Sequence, residues 1–251
     1  DAINHGATHI LIDEKVNFES TEGVSIVATE NPRQAFAKIV SKFYKLQPKN
    51  IVAVTGTSGK TSTVTFVQQL WHLSGLTKCA SLGTLGVRGP GVMKYGRLTP
   101  PDSEQLHAEL VYFAAVGVDH LAMEASSHGL DQFRLDGVNI QAAAYTNLSR
   151  DHLDYHKDMD SYFEAKARLF SEVMPAGGKV VLNADDEYYE RLKEICENNN
   201  HEIISFGKSG KTIRITDTQP LPHGQEVSFQ VEGNDHKITL PLVGEFQVMK
   251  A

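Results

Sequence analysis

With 251 residues, 41 % hydrophobic and 22 % charged, the chain has room for one large domain or for one and a half ordinary ones. A net charge of -7 argues against a broad nucleic-acid footprint, which needs a basic face, and no apolar run approaches the roughly 18–20 residues that cross a bilayer. The two cysteines, Cys79 and Cys196, lie far apart and match neither a metal spacing nor a disulfide framework.

Reduced, buried thiols and the lack of a secretory apolar core are the expectation for a cytoplasmic protein. Both ends read as cut from something longer. The first residue is Asp1, and Val248-Met249-Lys250-Ala251 reads as the start of a helix.

Residues 1–48 have the pattern of the end of a small α/β unit. Strand signals fall at residues 10–12 and 24–28. Asn31-Pro32 then opens a helix in which Ala35, Phe36, Ile39, Val40 and Phe43 recur as one apolar face. Residues 45–50, with Gln47-Pro48, form a short polar connector and the best domain boundary.

From Ile51 short apolar runs alternate with longer helical segments. Residues 51–54 read as a buried strand. Residues 61–74 read as a helix with Val64, Val67, Leu70 and Trp71 inward. Residues 103–115 form a second helix, with Leu106, Leu110 and Phe113 inward. Strands are expected at 118–123, 140–145, 180–182 and 203–206, and helices at 161–173 and 186–198. This alternation implies a mostly parallel sheet with helices on both faces. After Gly210 the texture changes. Residues 212–216, 226–231 and 236–240 alternate apolar and polar side chains, as in a small antiparallel sheet or meander.

The segment Thr55-Gly56-Thr57-Ser58-Gly59-Lys60-Thr61 follows a buried strand and opens a helix, which is the context a phosphate loop requires. Glycines let backbone N–H groups turn toward an anion, and the helix N-terminus adds partial positive charge. Lys60 would reach the β- and γ-phosphates of ATP, and the Thr61 hydroxyl would hold Mg²⁺. The strict motif has a further glycine where Val54 stands, so the loop is the shorter G-x-x-G-K-T form.

Other strand ends carry polar clusters on the same edge, where ligands bind in open α/β sheets. They are Glu124-Ala125-Ser126-Ser127-His128-Gly129, then Thr146-Asn147 with Arg150-Asp151-His152-Leu153-Asp154-Tyr155-His156, and Asn183-Ala184-Asp185-Asp186. Glu124 is a hard ligand suited to Mg²⁺. His152 is a candidate for a second metal, Arg134 is a fork for a substrate carboxylate or phosphate, and Asp186 could cap a helix.

These residues make the chain recognisable. Thr55–Thr61 resembles the phosphate loop of the Mur ligases, which more often have Asn where Ser58 stands. Met123-Glu124-Ala125-Ser126-Ser127-His128-Gly129-Leu130, followed by Gln132 and Arg134, is similar to the substrate segment of one branch of that family. That branch adds the third amino acid of the peptidoglycan stem peptide. Thr146-Asn147-Leu148, the 151–156 stretch and Lys166 before Leu169-Phe170 are similar to its metal-binding stretch, and Asn183-Ala184-Asp185-Asp186 also matches. The likeness runs from about Val24 to the C-terminus.

The resemblance implies an α/β fold: a central P-loop-type, mostly parallel sheet flanked by helices, a small antiparallel sheet near the C-terminal end, and a partial N-terminal α/β domain. The implied division is 1–48 for the partial domain and 49–251 for the central ATP-binding domain. ATP would be held by Gly56, Thr57, Ser58, Gly59, Lys60, Thr61, Ser62 and Asn147. Thr61 and Glu124 would bind a first Mg²⁺, and His152 and Lys166 would serve a second. Lys166, by pattern an ordinary solvated helix lysine, would carry a CO₂-derived carbamate. Lys60, Lys166 and His152 would be the catalytic residues.

Thr99, Ser126, Gln132 and Arg134 would hold UDP-MurNAc-dipeptide. The family often has Thr-Thr-Pro-Asp where this chain has Thr99-Pro100-Pro101-Asp102, so one hydroxyl is missing. The implied reaction is ATP-dependent amide ligation through an acyl phosphate. Meso-diaminopimelate and L-lysine are the candidate amino acids, and residues 123–137 look most like diaminopimelate-adding members. The alternatives are another ligase of the superfamily, such as a folylpolyglutamate synthase, or a non-catalytic nucleotide-binding homologue. A chain confined to residues 1–251 is expected to bind nucleotide weakly and not to complete the reaction.

Overall fold

β1 (His9–Asp13) and β2 (Ser25–Thr29) pair in parallel, with His9 opposite Ser25 and Asp13 opposite Thr29. The Asn31 side chain then accepts from the Gln34 N–H at 3.0 Å and caps α1 (Pro32–Phe43), whose proline stands where no intrahelical donor is needed. The computed structural model describes residues 2–19, 22–90, 92–94 and 99–249. The apolar face that periodicity assigns to α1 is only partly covered. Ala37 and Val40 are buried, but Phe36, Ile39 and Phe43 are 46, 56 and 78 % exposed. The helix rests on β1, β2 and, later in the chain, the helix at Ser103–Ala115. That support reaches one narrow stripe of it.

From here the elements follow in the order β3 (Asn50–Thr55), α2 (Lys60–Leu73), β4 (Cys79–Gly83), β5 (Gly86–Gly89), β6 (Val92–Lys94), α3 (Ser103–Ala115) and β7 (His120–Glu124). Then come α4 (Ser127–Asp131), β8 (Ile140–Tyr145), α5 (Met159–Arg168) with a π-helical turn at Leu169–Val173, β9 (Lys179–Asn183), α6 (Tyr189–Asn198) and β10 (Glu202–Gly207). β11 (Ile213–Leu221), β12 (Gly224–Val231), β13 (Asn234–Leu240) and α7 (Glu245–Val248) complete them. The helical start expected at the end of the chain corresponds to α7; Lys250 and Ala251 lie outside the described residues.

Alternation within the strands decides how they are covered. In β3, Ile51 and Ala53 enter the large core with Leu106, Leu110 and Phe113 of α3 and Phe163 of α5, whereas Val54 joins Val64 of α2 on the opposite face. β7 divides the same way, Leu121 and Met123 to one face and Ala122 to the other. A sheet apolar on both faces needs helices on both, and α2 supplies one side while α3, α5 and α6 supply the other. Leu70 of α2, expected inward, is 57 % exposed because the helix meets the sheet through Val64, Val67 and Trp71.

The sheet has the order β13-β12-β11-β10-β9-β8-β3-β7-β4-β5-β6. The strands from β4 across to β11 run parallel, and β12 and β13 continue as an antiparallel meander. The meander is not detached: β11 joins β10 through Phe206–Ile213 and Gly207–Arg214. β4, β5 and β6 escaped the sequence reading. They are short, β4 and β5 carry glycine at their ends, and β5 and β6 return antiparallel toward the edge.

On the α2 side, β9–β13 border an apolar cleft lined by Val181, Phe206, Ile215, Phe229 and Leu240, with Val248 against it. Both cysteines are free and buried. Among the described residues no helix is long and apolar enough to cross a membrane.

Candidate active site

The central strand β3 ends between β7 and β8, and the chain must turn there into α2 within four residues. Gly56 and Gly59 make that turn with φ of 144° and 90°. Gly56 is constrained by packing as well. A Cβ there would lie 1.9 Å from Thr146 Oγ1 and 3.1 Å from both Asn147 N and O.

The turn after β8 grips this loop. The Thr57 N–H donates to Asn147 O at 2.8 Å, and the Ser58 N–H and hydroxyl donate to Asn147 Oδ1 at 3.1 and 3.2 Å. Asn147 Nδ2 and Thr146 Oγ1 donate to Ser58 O at 3.1 and 2.7 Å. The Thr57 hydroxyl is 3.2 Å from the Tyr162 hydroxyl and accepts from the Ser149 N–H at 3.0 Å. Asn147 is thus a clamp on the loop's backbone, and Thr61 and Ser62 follow in the first turn of α2.

Two lysines meet at the loop. Lys60 Nζ donates to Gly56 O at 2.8 Å and Thr57 O at 2.9 Å. Lys166 Nζ, on α5, donates to the same Gly56 O at 2.8 Å and lies 4.4 Å from the centre of the Tyr162 ring. Lys166 is 1 % exposed, so the solvated lysine of the helical pattern is in fact interior. Burial first, and then the neighbouring Lys60 charge, hold its ammonium well below the usual lysine range, with Asp151 opposing. Burial also lowers Lys60, against the pull of Glu124 and Asp151.

Glu124 closes β7 and is 1 % exposed. Its Oε1 accepts from the Thr84 N–H at 2.8 Å and its Oε2 from the Thr84 hydroxyl at 3.1 Å, and Gly83 leaves the room: a Cβ there would lie 2.1 Å from Oε1. His152 has a left-handed backbone with φ 51° and a half-exposed ring set edge-on to His128 at 5.0 Å. The rings of His128, Tyr155, His156 and Tyr162 continue the stack, and His156 Nε2 is buried without a hydrogen-bond partner among the described residues.

Among the described residues no three His, Cys, Asp or Glu side chains converge as a metal cage by themselves. The expected metal set of Thr61, Glu124, His152 and Lys166 contains only two residues of those kinds. Hard oxygens and an interior amine whose charge is disfavoured are nonetheless the donor chemistry that Mg²⁺ and a lysine carbamate require.

The expected substrate residues form a connected group. Arg134 directs Nη2 and Nε at Gln132 Oε1, at 2.6 and 3.2 Å, and Nη1 at Pro100 O, at 2.9 Å. Gln132 Nε2 donates to the Tyr155 hydroxyl at 3.1 Å, which donates to Asp131 Oδ2 at 2.6 Å. Ser126 caps α4 by accepting from the Gly129 N–H at 3.0 Å. The Pro100 ring lies where a Gly129 side chain would stand, 2.4 Å from its Cβ position, so the loop carrying Thr99 is tied to the same group. The guanidinium of Arg134 is therefore already engaged by the protein.

Sequence reasoning missed the supports. Arg168, two residues after Lys166, is 8 % exposed. It donates to Leu130 O at 2.8 Å and Asp136 Oδ1 at 2.7 Å and covers the Phe133 ring at 4.1 Å. Asp185 and Asp186, assigned to the phosphate edge, turn to neighbouring loops. Asp185 accepts from the Lys208 and Ser209 N–H groups, and Asp186 from Tyr145 and Leu148. The spacing of the motif carried no signal for these long-range partners.

Residues 54–251 match the family model described as Mur ligase middle domain. The chain is 41 % identical over 251 residues to the UDP-N-acetylmuramoyl-L-alanyl-D-glutamate--2,6-diaminopimelate ligase of Rhizobium meliloti (strain 1021), covering 100 % of this chain and 51 % of that protein. It thus spans about half the length of the curated relatives it matches. A solved structure of a UDP-N-acetylmuramoyl-L-alanyl-D-glutamate--2,6-diaminopimelate ligase superposes with a TM-score of 0.82 at 30 % identity, covering 95 % of this chain and 49 % of the other. The MurF ligase of Thermotoga maritima, solved in complex with ADP, shares the fold alone: TM-score 0.59, 18 % identity, 99 % of this chain and 53 % of that one. With the loop, the β8 clamp and the Glu124 end of β7 in one sheet edge, the chain belongs to the Mur ligase family and carries its middle domain.

Proposed function

We propose that this chain is the ATP-handling part of a ligase that joins meso-diaminopimelate to UDP-N-acetylmuramoyl-L-alanyl-D-glutamate. Residues 49–251 would be the central domain and residues 1–48 the end of a substrate domain. The observation that carries the reading is the convergence of Lys60 and Lys166 on Gly56 O, each at 2.8 Å, in a glycine loop that opens a helix. The Lys60 charge beside a phosphate loop, with the interior Lys166 amine against the same carbonyl, suits a reaction between two anions, a carboxylate and the γ-phosphate of ATP.

In this reading the substrate carboxylate attacks the γ-phosphorus, ADP leaves, and the amine of the incoming amino acid displaces phosphate from the acyl phosphate. Lys60 and the N–H groups of Gly56, Gly59, Thr61 and Ser62 hold the phosphates, while Asn147 takes the Thr57 and Ser58 N–H groups and so holds the loop in shape. Ser126, Gln132, Arg134 and Thr99 orient the substrate so that its carboxylate faces the loop. Thr61 and Glu124 are the residues that would hold one Mg²⁺, and His152 with Lys166, as its carbamate, a second. Bound there, Mg²⁺ draws charge from the phosphoryl oxygens. The depressed Lys166 ammonium favours the neutral amine, which is the form that takes up CO₂.

The test uses the complete protein with ATP, Mg²⁺ and UDP-MurNAc-L-alanyl-D-glutamate, reading phosphate release and product mass. Meso-diaminopimelate should give one amide product per phosphate, and L-lysine should give much less. Phosphate release that no amino acid stimulates, or ligation of glutamate to a folate instead, would overturn the reading.

A further inference from the structure

The Asn183-Ala184-Asp185-Asp186 cluster ends β9 on the same sheet edge as the phosphate loop, yet its contacts run sideways. Asp186 Oδ1 accepts from the Tyr145 hydroxyl at 2.8 Å and from the Tyr188 N–H at 3.0 Å, and Oδ2 accepts from the Leu148 N–H at 2.8 Å. Asn183 Nδ2 donates to Thr146 O at 2.7 Å. Tyr145, Thr146 and Leu148 flank or belong to the β8 turn, and the residue between the last two is Asn147. We propose that Asp186 is a positioning residue for nucleotide binding: it fixes the β8 turn, and the turn in turn fixes the phosphate loop. The inference rests on reading that loop as the nucleotide site.

Asp186 does not cap α6, whose N-cap residue is Tyr188, and its Tyr188 contact is a local turn bond ahead of the helix. The other two donors reach Asp186 from 41 and 38 residues away in sequence, and one belongs to a tyrosine that is 1 % exposed. Three donors converging on one side chain call for a carboxylate, which accepts at both oxygens, whereas an asparagine accepts at only one. From the turn outward every link is equally short. Thr146 Oγ1 and Asn147 Nδ2 hold Ser58 O, Asn147 O holds the Thr57 N–H, and Asn147 Oδ1 holds the Ser58 N–H.

The loop N–H groups bind an anion only if they point inward together. A turn that loses one or two of its anchors lets Asn147 move, and the loop must then be ordered anew each time nucleotide binds. Asp186 itself stays engaged with protein donors, so its effect on nucleotide is indirect.

The test is calorimetric binding of Mg-ADP to the complete protein and its variants, with thermal unfolding and the KM for UDP-MurNAc-dipeptide measured alongside. Asp186→Asn should weaken Mg-ADP about tenfold, the loss of one to two charge-assisted hydrogen bonds, and Tyr145→Phe about threefold. The KM for the UDP-substrate should stay within about twofold, a split that general loosening would not produce. In the Asn147→Ala background Asp186→Asn should cost less than in the unaltered protein, because the side-chain links from Asn147 to Ser58 are already cut. If Asp186→Asn fails to fold, Tyr145→Phe and the Asn147→Ala pair carry the same comparison. Tight Mg-ADP binding by the unaltered protein with unchanged binding by Asp186→Asn or Tyr145→Phe overturns this inference alone. A parallel loss for the UDP-substrate also overturns it. Absence of Mg-ADP binding in the unaltered protein overturns the nucleotide-site reading and this inference together.

Discussion

Replacing Gly56 by alanine tests the interlock between the phosphate loop and the β8 turn at its tightest point. The added Cβ would stand 1.9 Å from Thr146 Oγ1, with Asn147 N and O behind it at 3.1 Å, and the φ of 144° is one that L side chains rarely adopt. The backbone conformation alone costs about 1–3 kcal/mol. Thr146 would have to abandon Ser58 O, now at 2.7 Å, for about 1 kcal/mol more. Crowding against the Asn147 backbone, which cannot rotate away, adds about 1–3 kcal/mol. The total, about 3–7 kcal/mol, is a large part of the ~5–15 kcal/mol that holds a typical domain together.

Trp71, the single tryptophan, packs partly buried on the α2 face of the sheet and reports unfolding in urea by its fluorescence. Gly56→Ala should lower the urea midpoint accordingly and abolish measurable Mg-ATP binding. Removing the nearest obstacle, with Thr146→Ala, should relieve at least about 1 kcal/mol of the penalty. A Gly56→Ala cost below about 1 kcal/mol, or the same cost in both backgrounds, would refute the packing argument.

Lys166→Met should leave the melting temperature unchanged or raised, since it replaces an interior amine, costly to bury, by an apolar chain of similar length, while amide formation by the complete protein is lost. A fall in melting temperature comparable to that of a core truncation would contradict this. Arg168→Met should destabilise by about 3–5 kcal/mol, because Asp136, 6 % exposed at its side chain, would lose its 2.7 Å partner. Chemical denaturation measures it, and a loss under about 1 kcal/mol would count against the interior ion pair as a brace. Burial holds His107 below the ordinary histidine range, so below about pH 6.5 the unfolded chain binds its proton more readily. Stability is therefore full above that pH and falls as pH drops toward the folded value. His107→Leu should remove up to about 1.4 kcal/mol of the loss between pH 7.5 and 5.5, seen as a flatter plot of unfolding free energy against pH.

Local patterns were legible and long-range partners were not. The phosphate loop could be read because strand, glycines, Lys60 and helix are contiguous, and α3 because Leu106, Leu110 and Phe113 keep one face inward. The helical period could not tell which apolar residues would find cover. Phe43 and Leu70 fit their stripes and lie mostly in solvent. Lys166 shows the converse: its helix carries charge at ordinary spacing, and only the packing of α5 under the loop makes it interior. Asp186 read as a cap because it opens the helix expected at 186–198, whereas α6 begins at Tyr189, and Tyr145 and Leu148 reach Asp186 only once β8 and β9 are neighbours. β4, β5 and β6 were invisible because strands this short have no sustained alternation, and β4 and β5 are bounded by glycine.

α5 links the phosphate loop to the Gln132–Arg134 group along one sheet edge. Asp158 and Ser161 form a capping box at its start, with bonds of 2.8 and 3.1 Å that fix where the helix begins. Lys166 and Arg168 then lie on its last turn, both interior. The first reaches Gly56 O in the phosphate loop, and the second reaches Leu130 O and Asp136 on either side of Gln132 and Arg134. Two residues apart, they leave the helix on different sides, which is why one meets the phosphate loop and the other the Leu130–Asp136 segment; a π-helical turn at Leu169–Val173 follows. One rigid element therefore sets the distance between the phosphate loop and the substrate group. A register error in α5 would displace both, which places the demand for accuracy on its cap more than on either loop.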